Sequence, residues 1–237
     1  MTSGRNDGKK RDLTAKATSD DVSAFLNKIA RTPTVQPVGG KGRLIFAMDA
    51  TASREPTWDL ATSLHAELFS IASATRLDVQ LVYYRGLDDF FVSSWNKEPR
   101  TLLHEMQNVR CRGGRTQILR VLQHARRQIS KEKTEAIVFV GDCCEESPAE
   151  LYACAGELGL FRLPVFVFQE GHDPHAKQVF QQIAKRSRGA YARFAPGSAK
   201  ELAALLGAAV AYATKGKDAV SQLATAEARH LLKQLPP

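Results

Sequence analysis

Five apolar residues in a row, Leu44 to Met48, end abruptly in Asp49, and hydroxyls follow at Thr51 and Ser53. With nothing polar to interrupt it, the run reads as a strand buried on both faces, as in a parallel sheet covered by helices. Ala136 to Val140, closed by Gly141-Asp142, and Val165 to Phe168 have the same character. Parallel strands need long crossovers, usually helical, so these runs direct the chain towards an α/β architecture.

The intervening segments supply those crossovers. Pro56 opens a helical pattern, because its missing N–H costs nothing in a first turn, and Trp58, Ala61, Leu64, Leu68 and Ile71 continue it at helical spacing. Leu77–Tyr84 and Phe90–Trp95 are joined by the turn 85–89, too short for anything but an antiparallel hairpin. Helices are expected over 99–109, 117–129, 148–159 and 174–186, with an edge strand at 190–194. Ser198 is placed to cap a helix running to about Ala213, and a last weakly amphipathic helix covers 217–234. The order predicts a doubly wound, mostly parallel six-stranded sheet with one antiparallel edge strand. Residues 43–213 form the domain, preceded by a polar disordered tail at 1–18 and a short helix with a Pro/Gly linker at 19–42. Residues 214–237 form a C-terminal helical extension.

Charge and cysteine content narrow the function. The formal net charge is +8. Residues 1–18 hold five basic and two acidic residues, and residues 215–237 four and two. The rest is a mildly basic globule without a continuous phosphate-binding stripe, and neither tail interleaves aromatics with its cations, so nucleic-acid binding is disfavoured. No apolar stretch approaches the roughly 20 residues of a membrane helix, and the N-terminus has no signal-peptide core, so no membrane partner is expected. Cys111, Cys143, Cys144 and Cys154 follow no disulfide framework and fit reduced thiols in a cytoplasm.

Right-handed crossovers place the carboxyl ends of the parallel strands on one edge. Asp49 and Asp142 then end neighbouring strands, and Thr116, opening the helix after the Gly113-Gly114 loop, falls beside them. Carboxylates and neutral hydroxyls are hard oxygen donors suited to Mg²⁺, with Mn²⁺ or Ca²⁺ as substitutes. Arg54, Arg85, Arg110, Arg112 and Arg115 lie on predicted loops of the same edge, where they would steer an acidic partner. His172 shares that rim; its spacing from His175 could suit zinc, but no cysteine pair completes a site, and Asp173 reads as a helix cap.

These residues resemble the metal-ion-dependent adhesion site of the von Willebrand factor A (VWA) family, in the form found in bacterial intracellular members. The family's Asp-x-Ser-x-Ser matches Asp49, Thr51 and Ser53; its later threonine matches Thr116, and its second aspartate Asp142. Thr51 stands where serine is commoner, Ala52 and Cys143 where glycine is frequent, and Arg115 separates the glycines from Thr116. The resemblance implies a non-catalytic interaction module or scaffold, whose Mg²⁺ accepts an Asp or Glu of another protein. It also implies work beside an ATPase or chaperone. Two rival readings remain. Asp49 could be the nucleophile of a Mg²⁺-dependent phosphatase-like enzyme, although Thr51 replaces the second aspartate such enzymes use as general acid. The basic tails could bind nucleic acid. Val38-Gly39-Gly40-Lys41-Gly42 precedes its strand and is no dinucleotide fingerprint.

Overall fold

A computed structural model describes residues 42–56, 77–95, 99–196 and 198–236. The tail at 1–18, the helix and linker up to residue 41, and the helix read over 58–71 lie outside these residues. The strands are β1 (Arg43–Asp49), β2 (Asp78–Arg85), β3 (Asp89–Val92), β4 (Ala136–Gly141), β5 (Val165–Glu170) and β6 (Tyr191–Phe194). They form one six-stranded sheet in the order β3-β2-β1-β4-β5-β6. All neighbours pair in parallel except β2 and β3, which form the expected antiparallel hairpin. The doubly wound architecture read from the sequence is the one observed.

Helices cover both faces. On one side, α2 (Ile118–Ile129), α3 (Pro148–Leu160) and α4 (Pro174–Arg186) pack against the odd-numbered residues of β1, Ile45 and Ala47, together with Ile137, Phe139, Val165 and Val167. On the other, Leu44, Phe46 and Met48 join Val138, Val140, Phe166 and Phe168 beneath α5 (Ala199–Lys215). Consecutive residues of one strand thus enter two different cores, so no polar alternation is possible in the central strands. The helix α1 (Pro99–Gln107) adds Met106 to the second core.

Details depart from the sequence reading: β3 ends at Val92 instead of Trp95, and α1 stops at Gln107 instead of 109. β5 runs two residues further, because Gln169 and Glu170 are buried and pair with β6. Ser198 stands at the start of α5 but its hydroxyl makes no capping bond; its backbone carbonyl accepts from Leu202 N–H instead. The expected helix 217–234 is two short ones, α6 (Lys217–Ser221) and α7 (Ala226–Leu232), because Thr225 caps a new start by accepting from Ala228 N–H at 3.0 Å. Val220, Ala228, Leu231 and Leu235 from this segment are buried in the α5-side core. Gln234 then reaches β6: its amide accepts from Tyr191 N–H at 2.9 Å and donates to the Tyr191 carbonyl at 2.8 Å.

Candidate metal centre

The chain leaves β1 towards β2 on one side and β4 towards β5 on the other, so the strand order reverses between β1 and β4. A crevice opens at the carboxyl ends of such a pair. Asp49 is the last residue of β1, and Asp142 follows directly on β4. Ligand atoms of Asp49, Asp142 and Cys143 lie within 4.8 Å of one another. The meeting of the two aspartates follows from the topology alone.

Each carboxylate is held differently. Asp49 is fully buried; Oδ1 accepts from Thr51 N–H at 2.7 Å and Oδ2 from the Tyr84 hydroxyl at 3.0 Å. Beyond it a 3₁₀ turn, Ala52–Arg54, brings the Thr51 and Ser53 hydroxyl oxygens to 3.1 Å, Thr51 buried and Ser53 exposed. Asp142 Oδ1 is buried and has no hydrogen-bond partner among the described residues.

Thr116 is buried and fastened to the segment after Asp142: its N–H donates to Glu145 Oε2 at 3.2 Å and its Oγ1 accepts from Glu145 N–H at 3.0 Å. The Glu146 carboxylate accepts from Ile118 N–H at 2.5 Å and Leu119 N–H at 2.8 Å, closing the exposed donors at the start of α2. Behind Thr116 the loop has little freedom. A Cβ on Gly114 would stand 1.8 Å from the Gly86 carbonyl oxygen, so only glycine fits against the hairpin turn. Arg112 N–H bonds the Ala50 carbonyl at 3.2 Å, lacing the same loop to the chain leaving β1.

Burial sets the electrostatics. It raises the Asp49 carboxyl from 3.8 to about 6; the Thr51 and Tyr84 hydrogen bonds lower it and the Asp142 charge raises it. Burial, with the Asp49 charge next, pushes the Tyr84 hydroxyl well up, so it stays a proton donor. The Cys143 thiol is driven up by burial and then by Asp142 and Asp49, and Cys144 is pushed to about 11. Neither offers a thiolate near neutrality, so neither has the activation a nucleophile needs.

Arg54 corrects the sequence reading. Expected on the exposed rim, it is 1 % exposed and ion-paired with Glu170 at the end of β5. Burial lowers its pKa, while Asp142 and then Asp49 raise it. The carboxylates of Glu170, Asp142 and Asp49 together hold it inward, since a buried charge persists only when paired. The other rim residues differ among themselves. Arg112 and Arg115 are exposed. Arg85 is half-buried, bonding Asp89 at 2.6 Å and the Arg110 carbonyl at 3.0 Å. His172 is exposed, with Nδ1 accepting from the Arg193 guanidinium at 2.6 Å. Asp173 caps α4 as expected, accepting from Ala176 N–H.

Solved structures share this architecture. An aerotolerance-related membrane protein from Bacteroides fragilis aligns at 16 % identity over 71 % of this chain and 98 % of its own, with a TM-score of 0.57. The VWA domain of SpRpn10 aligns at 12 % identity over 66 % and 89 %, with a TM-score of 0.55. The chain has a VWA fold. The pilus adhesin SpaC from Lactobacillus rhamnosus GG aligns at 10 % identity over 77 % of this chain but 31 % of its own, with a TM-score of 0.62. No family model matches the sequence, and no curated protein matches it. In this VWA-fold domain, sequence reasoning missed Tyr84, Glu145, Glu146 and the Arg54–Glu170 pair. Only the acidic pair carried a local signal, two glutamates three and four residues beyond Asp142; the others depend on contacts between distant segments.

Proposed function

We propose that this domain is a cytoplasmic protein-interaction module that holds an acidic side chain of another protein through a divalent cation, Mg²⁺ before Mn²⁺ or Ca²⁺. Asp49, Thr51, Ser53, Thr116 and Asp142 are the residues that would hold the ion. The observation that carries the reading is the meeting of buried Asp49 with half-buried Asp142, one oxygen of which is buried without a hydrogen-bond partner among the described residues. The buried Arg54 guanidinium, ion-paired with Glu170, also feels both aspartates, so one cation faces three carboxylates at this end of the sheet. One fully buried and one half-buried carboxylate, with the Thr51 and Ser53 hydroxyls next along the chain, make a donor set that suits a hard dication. When bound, the ion would supply an electrophilic position for an incoming Asp or Glu.

The chain's own residues fit that task. Tyr84 and the Thr51 amide fix the Asp49 carboxylate, and Thr116 Oγ1 keeps a second lone pair after accepting from Glu145. The exposed Arg112 and Arg115 would draw an acidic partner to the rim. Asp49 has no exposed surface and both its oxygens already accept hydrogen bonds, which suits an anchor better than a phosphoryl-accepting nucleophile. All four cysteines are free, in keeping with a reducing compartment. An ATPase or chaperone remains the proposed kind of partner.

The test is a Mg²⁺ titration followed by thermal unfolding, with affinity capture in the presence and absence of chelator. Saturating the wild-type site a hundredfold above its Kd is expected to add about 2.7 kcal/mol. Asp49→Ala with Thr116→Ala is expected to abolish both that gain and the chelator-sensitive capture. Capture that survives both the chelator and the double substitution would remove the proposal.

A further inference from the structure

The edge of the sheet opposite the aspartates carries a feature that the metal reading does not use. The helices α2, α3 and α4 lie side by side on one face, and their carboxyl ends meet there, next to the amino ends of β4, β5 and β6. Gly159, near the end of α3, lies so close to α4 that a Cβ would stand 2.2 Å from the Arg186 carbonyl oxygen. Beside that contact, Leu160 is 85 % exposed and Phe161 58 % exposed; Leu87 on the hairpin turn is the one other large apolar residue so exposed among the described residues. Arg162 follows the pair directly, and Lys185, Arg186 and Arg188 lie where the end of α4 meets Gly159; all four are exposed, the Arg186 guanidinium lying 4.9 Å over the Tyr152 ring and Arg188 near Tyr212 of α5. Glu157, the nearest acidic residue on α3, is engaged by Arg126 at 2.9 Å.

Cations at helix carboxyl ends are favoured by the exposed carbonyls, which accounts for part of this charge. It does not account for two adjacent large apolar side chains standing in water. Arg162 and Arg188 also occupy left-handed backbone positions, φ 57° and 64°, the only non-glycine residues to do so among those described. Glycine is the residue such positions ordinarily take.

We infer that this edge is a peripheral docking surface for an anionic phospholipid membrane, with Leu160 and Phe161 entering the headgroup boundary and the arginines resting on lipid phosphates. The exposure is that of a protrusion. A protein partner would have to bring a pocket for it, whereas a bilayer interface accepts an apolar pair flanked by cations without one. Charge complementarity supplies the rest: each Lys or Arg near an anionic leaflet contributes roughly fivefold in affinity. Such association needs no spanning segment, and among the described residues no helix is long and apolar enough to cross a bilayer.

The experiment is co-sedimentation of the full chain with phosphatidylcholine vesicles, with and without phosphatidylserine. Wild type is expected to sediment only with the phosphatidylserine vesicles. Leu160→Ser with Phe161→Ser is expected to abolish sedimentation. Arg162→Gly with Arg188→Gly removes two charges and is expected to weaken binding roughly 25-fold. Glycine relieves the left-handed strain at both positions, so this variant stays folded, and its thermal midpoint verifies that. Sedimentation unaffected by either variant, or absent in wild type, would overturn the inference. So would binding to a DNA duplex or to polyglutamate with the same variant dependence and none to vesicles.

Discussion

Replacing Asp49 with asparagine separates the cost of its charge from the use of that charge. The carboxyl titrates at about 6 in the fold against an ordinary 3.8. A raised pKa means that the protonated form is the one the fold favours. The contribution of protonated Asp49 is fully present below 3.8 and is lost as pH rises through about 6. Raising the carboxyl from 3.8 to about 6 corresponds to about 3 kcal/mol of destabilisation at pH 7 in metal-free protein. Asp49→Asn removes that charge, retains an acceptor for Thr51 N–H, and lets the Tyr84 hydroxyl turn to accept from the new amide. In chelator at pH 7, the variant is expected to be up to about 3 kcal/mol more stable than wild type. For a domain of this size that is about 6–12 °C in Tm. Near pH 4 the difference should close. In saturating Mg²⁺ the ranking should narrow or invert, since only wild type retains the full donor set. Calorimetry at the two pH values, with and without the ion, reads all four numbers. A variant no more stable than wild type in chelator at pH 7, or a gain indifferent to pH, would refute the reasoning.

Two further outcomes follow from buried polar groups elsewhere. Arg54→Met removes the buried cation beside Glu170, Asp142 and Asp49 and is expected to cost about 3–5 kcal/mol in urea unfolding; a cost under about 1 kcal/mol would contradict a buried pair. His124, whose Nε2 lies 2.7 Å from Gln80 Oε1, is held neutral by burial at a pKa of about 4 against 6.5. Its depressed value means stability present above 6.5 and lost as pH falls towards 4, opposite in sign to Asp49 over nearly the same window. Relative to wild type, His124→Gln should therefore gain stability as pH falls from 6.5 to 4, and a difference between the two proteins that does not change with pH would exclude the assignment.

What could be read from the sequence and what could not divides along the range of the interactions. Leu44–Met48 and Ala136–Val140 declare themselves because burial on both faces leaves no room for polar residues, and the convergence of Asp49 with Asp142 follows once those strands are neighbours. Thr225 shows the limit of periodicity: a weak apolar stripe continues through 217–234, while a local side-chain bond starts a new helix. Arg54 was unreadable for a different reason. Its position in a polar turn looks solvent-facing, and only the return of β5 more than a hundred residues later brings Glu170 beside it. Glu145 and Glu146 likewise resemble surface charge until α2 presents its unpaired amides to them.

The amide of Gln234 has a wider consequence. It fills, on Tyr191, the donor and acceptor that a newly arriving strand would need at the β6 border. Edge-to-edge growth into fibres is hindered there by one side chain, which covers the first outward-facing residue of a strand only four residues long. An incoming strand would have to displace Gln234 before it could extend the ladder.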